Sequence, residues 1–345
     1  MLLESAARFL RSSGGTVRWA EMGELGWIGA ALSEGNGGFG GRAADVLPIC
    51  EAIGASGIAI PYFSSALLPA GLLAETPPFQ ARSEVLRNIV SGLTRFSVAH
   101  TEKNLNFAAE APLTAAREAN GVRLSGEKHR VWDAAEADML IVSAGNAGRF
   151  GWYLVNARDS GVHIQPAHVD RDMGWATVRF SDSPAVEICC DEDAHHALDR
   201  GTGLAMIGVL AESVGCMGAL FDITREWLVT RRQFGRPLAE NQVLQHRLVD
   251  MFIALEESRS MLNLAVHLYD HGRTSGWRAA LHAAKAHIAN SARFVGQQAV
   301  HLHGAMGLTE EGFVGRAYRR LEVLGAVFGG ADFHTWSYVA GSSGA

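Results

Sequence analysis

Residues 225–251 read REWLVTRRQFGRPLAENQVLQHRLVDM. A long helical pattern ends at Arg231. Gly235 and Pro237 break it, and a second amphipathic helix follows with Val243, Leu244, Leu248, Met251 and Phe252 on one face. Taken locally, this is a helical hairpin with a charged turn. The order of residue types also suits a grip on a bulky anionic ligand. Arg231 offers a bidentate phosphate contact, Phe234 a flat apolar wall, and Gly235 a backbone free to turn.

Working outward, the chain is long enough, at 345 residues, for two or three domains. Hydrophobic residues make up 48% and charged residues 19%, which supports a sizeable core. The net charge of -6, with no run of Lys or Arg, argues against a nucleic-acid partner. Cys50, Cys189, Cys190 and Cys216 have no CxxC or metal-ligand spacing, so reduced thiols and a cytoplasmic setting are expected. Glu4 and Arg8 interrupt the first apolar stretch, which is therefore no secretory signal. No apolar run is expected to reach membrane-spanning length. The 39 glycines predict tight turns and close helix contacts.

Three segments differ in character. Residues 1–93 read as helical, with Leu2, Leu3, Ala6, Phe9 and Leu10 on one stripe and another helix over 43–57. Between them, Gly35, Gly37, Gly38, Gly40 and Gly41 have neither a preceding strand nor a following P-loop lysine, so they predict a structural turn rather than a phosphate cradle. Residues 94–195 hold short β-branched and aromatic stretches: RFSVAH, GVRLSGEK, DMLIVSA, FGWYLVNA, VHIQPAHV, ATVRFSDS and AVEICC. They predict an antiparallel sheet or small barrel. Residues 196–345 return to helix, with spans near 201–230, 241–272, 277–303 and 308–327.

The opening stretch closely resembles the R-x-QFG-x-P…Q…Q-x-x-L-x-D-M signature of the acyl-CoA dehydrogenase family. ELGWIGAALSEGNGGFGG (24–41) is similar to that family's ELGW-x-G-x-x-x-PE-x-x-GG-x-G element, with Ser33 where Pro is usual. The helix–β–helix order is also the family's, so the resemblance runs over nearly the whole chain. It implies an N-terminal helical domain, a middle antiparallel β barrel and a C-terminal four-helix bundle. It also implies FAD, an acyl-CoA thioester substrate and a defined reaction. A carboxylate takes the α-proton, the β-hydride passes to the flavin, and hydrogen bonds to the thioester carbonyl stabilise the enolate-like charge.

On this resemblance Arg231, Phe234 and Gln242 are FAD contacts, made across a subunit interface. A second FAD motif, Q-x-x-GG-x-G, aligns with His301-Leu302-His303-Gly304-Ala305-Met306-Gly307. His301 replaces the glutamine and can still donate one hydrogen bond. Gly304 is kept, and Ala305 adds a methyl group where backbone approaches closely. Read locally, His301 and His303 are helix-end residues, and their i, i+2 spacing does not make a metal pair.

The flavin-facing segment departs further. Thr101, Glu102, Gly126 and Lys128 keep the family frame, the GSD element is missing, and Trp132 stands where a small hydroxyl residue is usual. Trp132 is expected to pack. The family's two base positions fall on Phe328 and Ala205, neither acidic. Glu212 is the remaining carboxylate on the relevant helix and the candidate base. Among apolar neighbours its pKa would rise, as a base for α-proton abstraction needs; buried Glu also serves as a structural partner for Arg. Glu310 and Glu311 are expected to begin a helix capped by Thr309. Arg316, Arg319 and Arg320 are expected on a solvated face.

A frame kept while catalytic groups are lost resembles one subunit of the heteromeric acyl-CoA dehydrogenases, as in bacterial steroid side-chain degradation. The implied reading is an FAD-linked subunit that makes a trans-2-enoyl-CoA beside a homologous chain, with electron-transfer flavoprotein as acceptor. Alternatives are a homotetramer using Glu212, a silent subunit completing a partner's site, and a flavin-dependent monooxygenase on the same fold.

Overall fold

A computed structural model describes residues 2–13, 15, 17–79, 81–103, 114–118, 121–146, 148–167, 174–271, 276–309 and 312–342. The expected succession of helix, strand and helix is present. Five helices come first: α1 (Leu2–Ser12), α2 (Trp19–Glu24), α3 (Ala43–Ser56), α4 (Leu68–Ala74) and α5 (Arg82–Val90). Seven strands follow: β1 (Phe96–Ala99), β2 (Thr114–Glu118), β3 (Gly121–Trp132), β4 (Met139–Asn146), β5 (Arg149–Asn156), β6 (Val162–Pro166) and β7 (Trp175–Cys190). Then come α6 (Asp191–Thr230), a small hairpin of β8 (Arg232–Gln233) and β9 (Arg236–Pro237), α7 (Gln242–His271), α8 (Gly276–His303), α9 (Phe313–Ala326) and α10 (Ala331–Ser342).

The chain forms two compact units, and neither is one continuous segment. One comprises residues 1–16, 46–60 and 206–345; the other comprises 17–45 and 61–205. In the second unit β2, β3, β7, β5 and β4 pair in turn, and β4 pairs back with β2, so the sheet closes into a ring. β1 runs parallel to β4, a departure from a purely antiparallel sheet. Leu124, Leu140, Val142, Tyr153, Val178 and Phe180 fill the interior. ATVRFSDS and AVEICC are one 16-residue strand, not two. β7 pairs with β6 through its first half and with β5 through its last residues, and Asp182 at φ 54 marks the irregularity between them. The glycine-rich loop is a structural turn: Gly37 and Gly40 have positive φ, and a side chain at Gly38 or Gly41 would collide with backbone carbonyls.

In the first unit α8 is the central helix and packs against α7, α9 and α10. Its buried positions include Leu281, Ala284, Ile288, Ala292, Val295 and Ala299, at intervals of three and four. From Leu204 to Leu220, α6 is apolar or small nearly all round and is buried nearly all round. An 18-residue stretch of α6 has mean hydropathy 1.8, enough by length and composition to cross a bilayer, contrary to the sequence expectation. That stretch is 78% buried inside the fold, as a core helix would be. Glycine lets α3 and α6 approach: a Cβ on Gly54 would overlap the Glu212 carbonyl, and one on Gly215 would overlap Glu51 backbone.

Candidate functional site

The QFGR turn is a two-residue β-hairpin. Phe234 has φ 52 and Gly235 φ 83, the paired positive values of a type I′ turn. Glycine takes this conformation freely, whereas a phenylalanine there gives up about 1–2 kcal/mol. Phe234 is also 100% exposed. The ring at this strained tip is buried against nothing in its own chain. Gln242, exposed, opens α7 just after the hairpin.

Arg231 closes the last turn of α6. Its amide bonds the Trp227 carbonyl at 2.8 Å, so Trp227 and Arg231 share one helix face. The guanidinium lies over the Trp227 ring, 5.5 Å from its centroid. Arg231 is exposed, and among the described residues no carboxylate pairs with it. Sequence reasoning passed over Trp227, although its i, i+4 spacing from Arg231 was available.

The second motif lies at the end of α8. Gln297, Val300, His301, Gly304, Leu308 and Tyr318 line a cavity of about 380 Å³, so His301 and Gly304 do face a common space. Arg247 on α7 donates to His301 Nδ1 at 3.1 Å. A ring nitrogen that accepts carries no proton, so His301 keeps its N–H on Nε2 as a donor. His303 stacks on Trp227, with ring centroids 5.2 Å apart and planes 23° from parallel. The α6 and α8 ends that carry the two motifs are therefore in contact. Two helix-face expectations change here. Of the five apolar residues assigned to one α7 face only Met251 is fully buried, while Val243 and Phe252 are exposed. Thr309 does not cap α9, whose N-cap is Gly312; Glu310 and Glu311 lie outside the described residues.

Glu212 is elsewhere. It is 3% exposed, and Arg320 Nε donates to its Oε1 at 2.6 Å. It does not line the cavity at the α8 end. Arg320 is thus an interior partner rather than part of a solvated face, whereas Arg316 is exposed. Phe328, at one family base position, is buried at φ 60. Ala205, at the other, is fully buried.

In the other unit, Lys128 is fully buried and donates to Glu102 at 2.9 Å. Burial lowers the lysine pKa to about 8, and the Glu102 carboxylate works against that shift. The frame residues Glu102 and Lys128 thus meet as a pair. Trp132 packs edge-on against Phe63 at 5.6 Å and Trp175 at 5.1 Å and is 8% exposed. An indole in that cluster supplies no hydroxyl to a flavin. The exposed Arg231 cation, the Phe234 ring and the His301 N–H are groups of the kind that suit an adenosine pyrophosphate, whereas the Trp132 cluster offers a flavin ring no hydroxyl. Among the described residues no group of three or more His, Cys, Asp or Glu could hold a metal.

Residues 201–340 match the acyl-CoA dehydrogenase C-terminal domain. The 3-(aryl)acrylate reductase of Clostridium sporogenes is 27% identical over 334 residues, 90% of this chain and 86% of that protein. The solved Tcur3481–Tcur3483 steroid ACAD superposes with a TM-score of 0.88 at 25% identity, covering 99% of this chain and 98% of that one. The ChsE4–ChsE5 complex from Mycobacterium tuberculosis does so with 0.85 at 21%, covering 99% and 97%, which speaks to fold. Residues 201–340 thus carry an acyl-CoA dehydrogenase C-terminal domain, and the chain has the acyl-CoA dehydrogenase fold.

Proposed function

We propose that this chain is one subunit of a heteromeric, FAD-linked acyl-CoA dehydrogenase that forms the α,β double bond of an acyl-CoA thioester. Segments 1–93, 94–195 and 196–345 serve as its helical, β and bundle domains, in a cytoplasmic protein. The observation that carries the reading is Phe234, fully exposed at a strained hairpin tip beside an Arg231 that, among the described residues, pairs with no carboxylate. Bound FAD would supply hydride acceptance from the substrate β-carbon. Arg231 binds pyrophosphate, Phe234 and Gln242 border the adenosine, and His301 Nε2–H donates a hydrogen bond beside Gly304. A homologous partner contributes the base, because Phe328 and Ala205 occupy both family positions and Glu212 is engaged by Arg320. The partner's site faces the acyl-CoA, and electron-transfer flavoprotein takes the electrons onward.

The two-component Tcur3481–Tcur3483 steroid ACAD, 25% identical to this chain, supports a partner of the same family. The test is co-expression with candidate paralogues, followed by counting FAD per protomer. A yellow complex that forms only with a second family member supports the reading. A colourless complex with one of them supports a purely supporting role, for which the packed Trp132 cluster also speaks. Stoichiometric FAD on this chain alone opposes both.

A further inference from the structure

We propose that Trp227 and His303 form a strut that positions Arg231 and holds the two phosphate-side elements of the site at a fixed separation. The inference rests on the reading of Arg231 as an FAD contact and concerns two residues that touch no cofactor themselves. Trp227 belongs to α6 and His303 to α8. Their rings stack at 5.2 Å. The Arg231 guanidinium sits over the same indole at 5.5 Å. His301 and Gly304 flank His303 in sequence and line the cavity. One aromatic ring therefore touches the cation of the first motif and the helix end that carries the second.

An exposed arginine on a flexible stem loses rotamer freedom when it grips phosphate. An indole beneath the guanidinium takes up part of that ordering before the ligand arrives, and it leaves the N–H fork free for oxygen atoms. A carboxylate partner would have held the side chain too, but it would have competed with phosphate, and none is present among the described residues. The histidine is suited to its place. Its Nδ1 donates to the Ala299 carbonyl at 2.8 Å, which fixes the ring plane. Burial lowers its pKa, so the ring next to the indole is neutral near pH 7 and does not repel Arg231.

The test measures FAD dissociation from the flavin-retaining assembly for Trp227→Ala, Trp227→Phe, His303→Ala and Arg231→Ala, with Trp227→Ala also made on the Arg231→Ala background. Trp227→Ala is expected to weaken FAD binding roughly two- to fivefold, the scale of one exposed cation–π contact. Trp227→Phe should recover most of that loss, and His303→Ala should give a loss of similar size. On the Arg231→Ala background, Trp227→Ala should cost clearly less than it does alone. Two results would overturn the strut while leaving the site reading standing: Arg231→Ala weakens FAD but Trp227→Ala does not, or the two losses simply add. If Trp227→Ala fails to fold, Trp227→Phe and His303→Ala decide by the same measurement. FAD binding that ignores Arg231→Ala, or an assembly that takes up no FAD, removes the site reading and the strut together.

Discussion

Arg231 stands exposed at a helix end with an indole beneath it and, among the described residues, no acid paired with it. Replacing it with Ala should cost roughly 1.5–3 kcal/mol of FAD binding, the range for a charge-assisted hydrogen bond, and hence about tenfold or more in affinity. Equilibrium dialysis of the flavin-retaining assembly checks this, and unchanged retention would remove the role. Glu212 is the converse case, a carboxylate satisfied inside the fold. Glu212→Gln keeps the shape and one hydrogen bond to Arg320 but leaves a part-buried cation without its counter-charge. Stability should fall by ~1–3 kcal/mol while flavin reduction stays near normal. Denaturant unfolding read beside stopped-flow reduction separates this outcome from a base, whose loss slows reduction by about 10² or more. Arg231, Phe234, His301 and Gly304 can be singled out from sequence because each sits in a short local pattern; their roles are proposals. The Glu212–Arg320 pair was not legible there. The two are 108 residues apart, and nothing in either neighbourhood encodes the other.

The helices were legible as elements because their apolar positions recur with helical period. The spans expected from 277 to 303 and from 241 to 272 fall within one residue of α8 and α7 at each end. β7 was not legible as one strand, since Ser-Asp-Ser-Pro inside it reads as a turn, and only pairing with β3 on one edge carries the strand through. What α8 does with Lys285 was equally hidden. This buried lysine donates to the Leu324 and Gly325 carbonyls at 2.8 Å each, satisfying the C-terminal end of α9. Burial lowers its pKa from 10.5 to about 7. Between those values the unfolded chain binds the proton more tightly, so this group makes stability rise as pH climbs from about 7. The buried thiol of Cys189, pushed up to about 12, opposes it only above its unfolded value of 9.0. Thermal unfolding of Lys285→Met between pH 7 and 9 should therefore show a flatter slope than the parent, by up to about 1.4 kcal/mol per pH unit. An unchanged slope would mean that Lys285 stays charged in the fold. His334, lowered to about 3 by burial first and then by Lys285 and His282, acts in the same sense at acid pH, and stability is lost as pH falls below 6.5. The α3–α6 crossing gives a steric test. Gly215→Ala should destabilise by about 1–3 kcal/mol, because the new methyl meets Glu51 backbone and not a movable side chain.

Across the whole molecule, apolar side chains remain uncovered: Val243, Val249, Phe252 and Ile253 on α7, and Trp336 and Val339 on α10, are each 47–77% exposed. Such surface usually belongs to an interface. Sedimentation should therefore give a tetramer-sized particle with a homologous partner and an ill-behaved species without one; a stable monomer would count against assembly. The fold was legible from colinear motifs spread along the chain. The proposed division of labour between chains is not legible in one sequence, because an interface is a property of two. Anaerobic reduction of bound flavin by an acyl-CoA tests that division directly. The account predicts no flavin bleaching with this chain alone, bleaching in the co-purified assembly, and bleaching undiminished when this chain carries Glu212→Gln. Bleaching by this chain alone, or its collapse on Glu212→Gln with the fold intact, would contradict it.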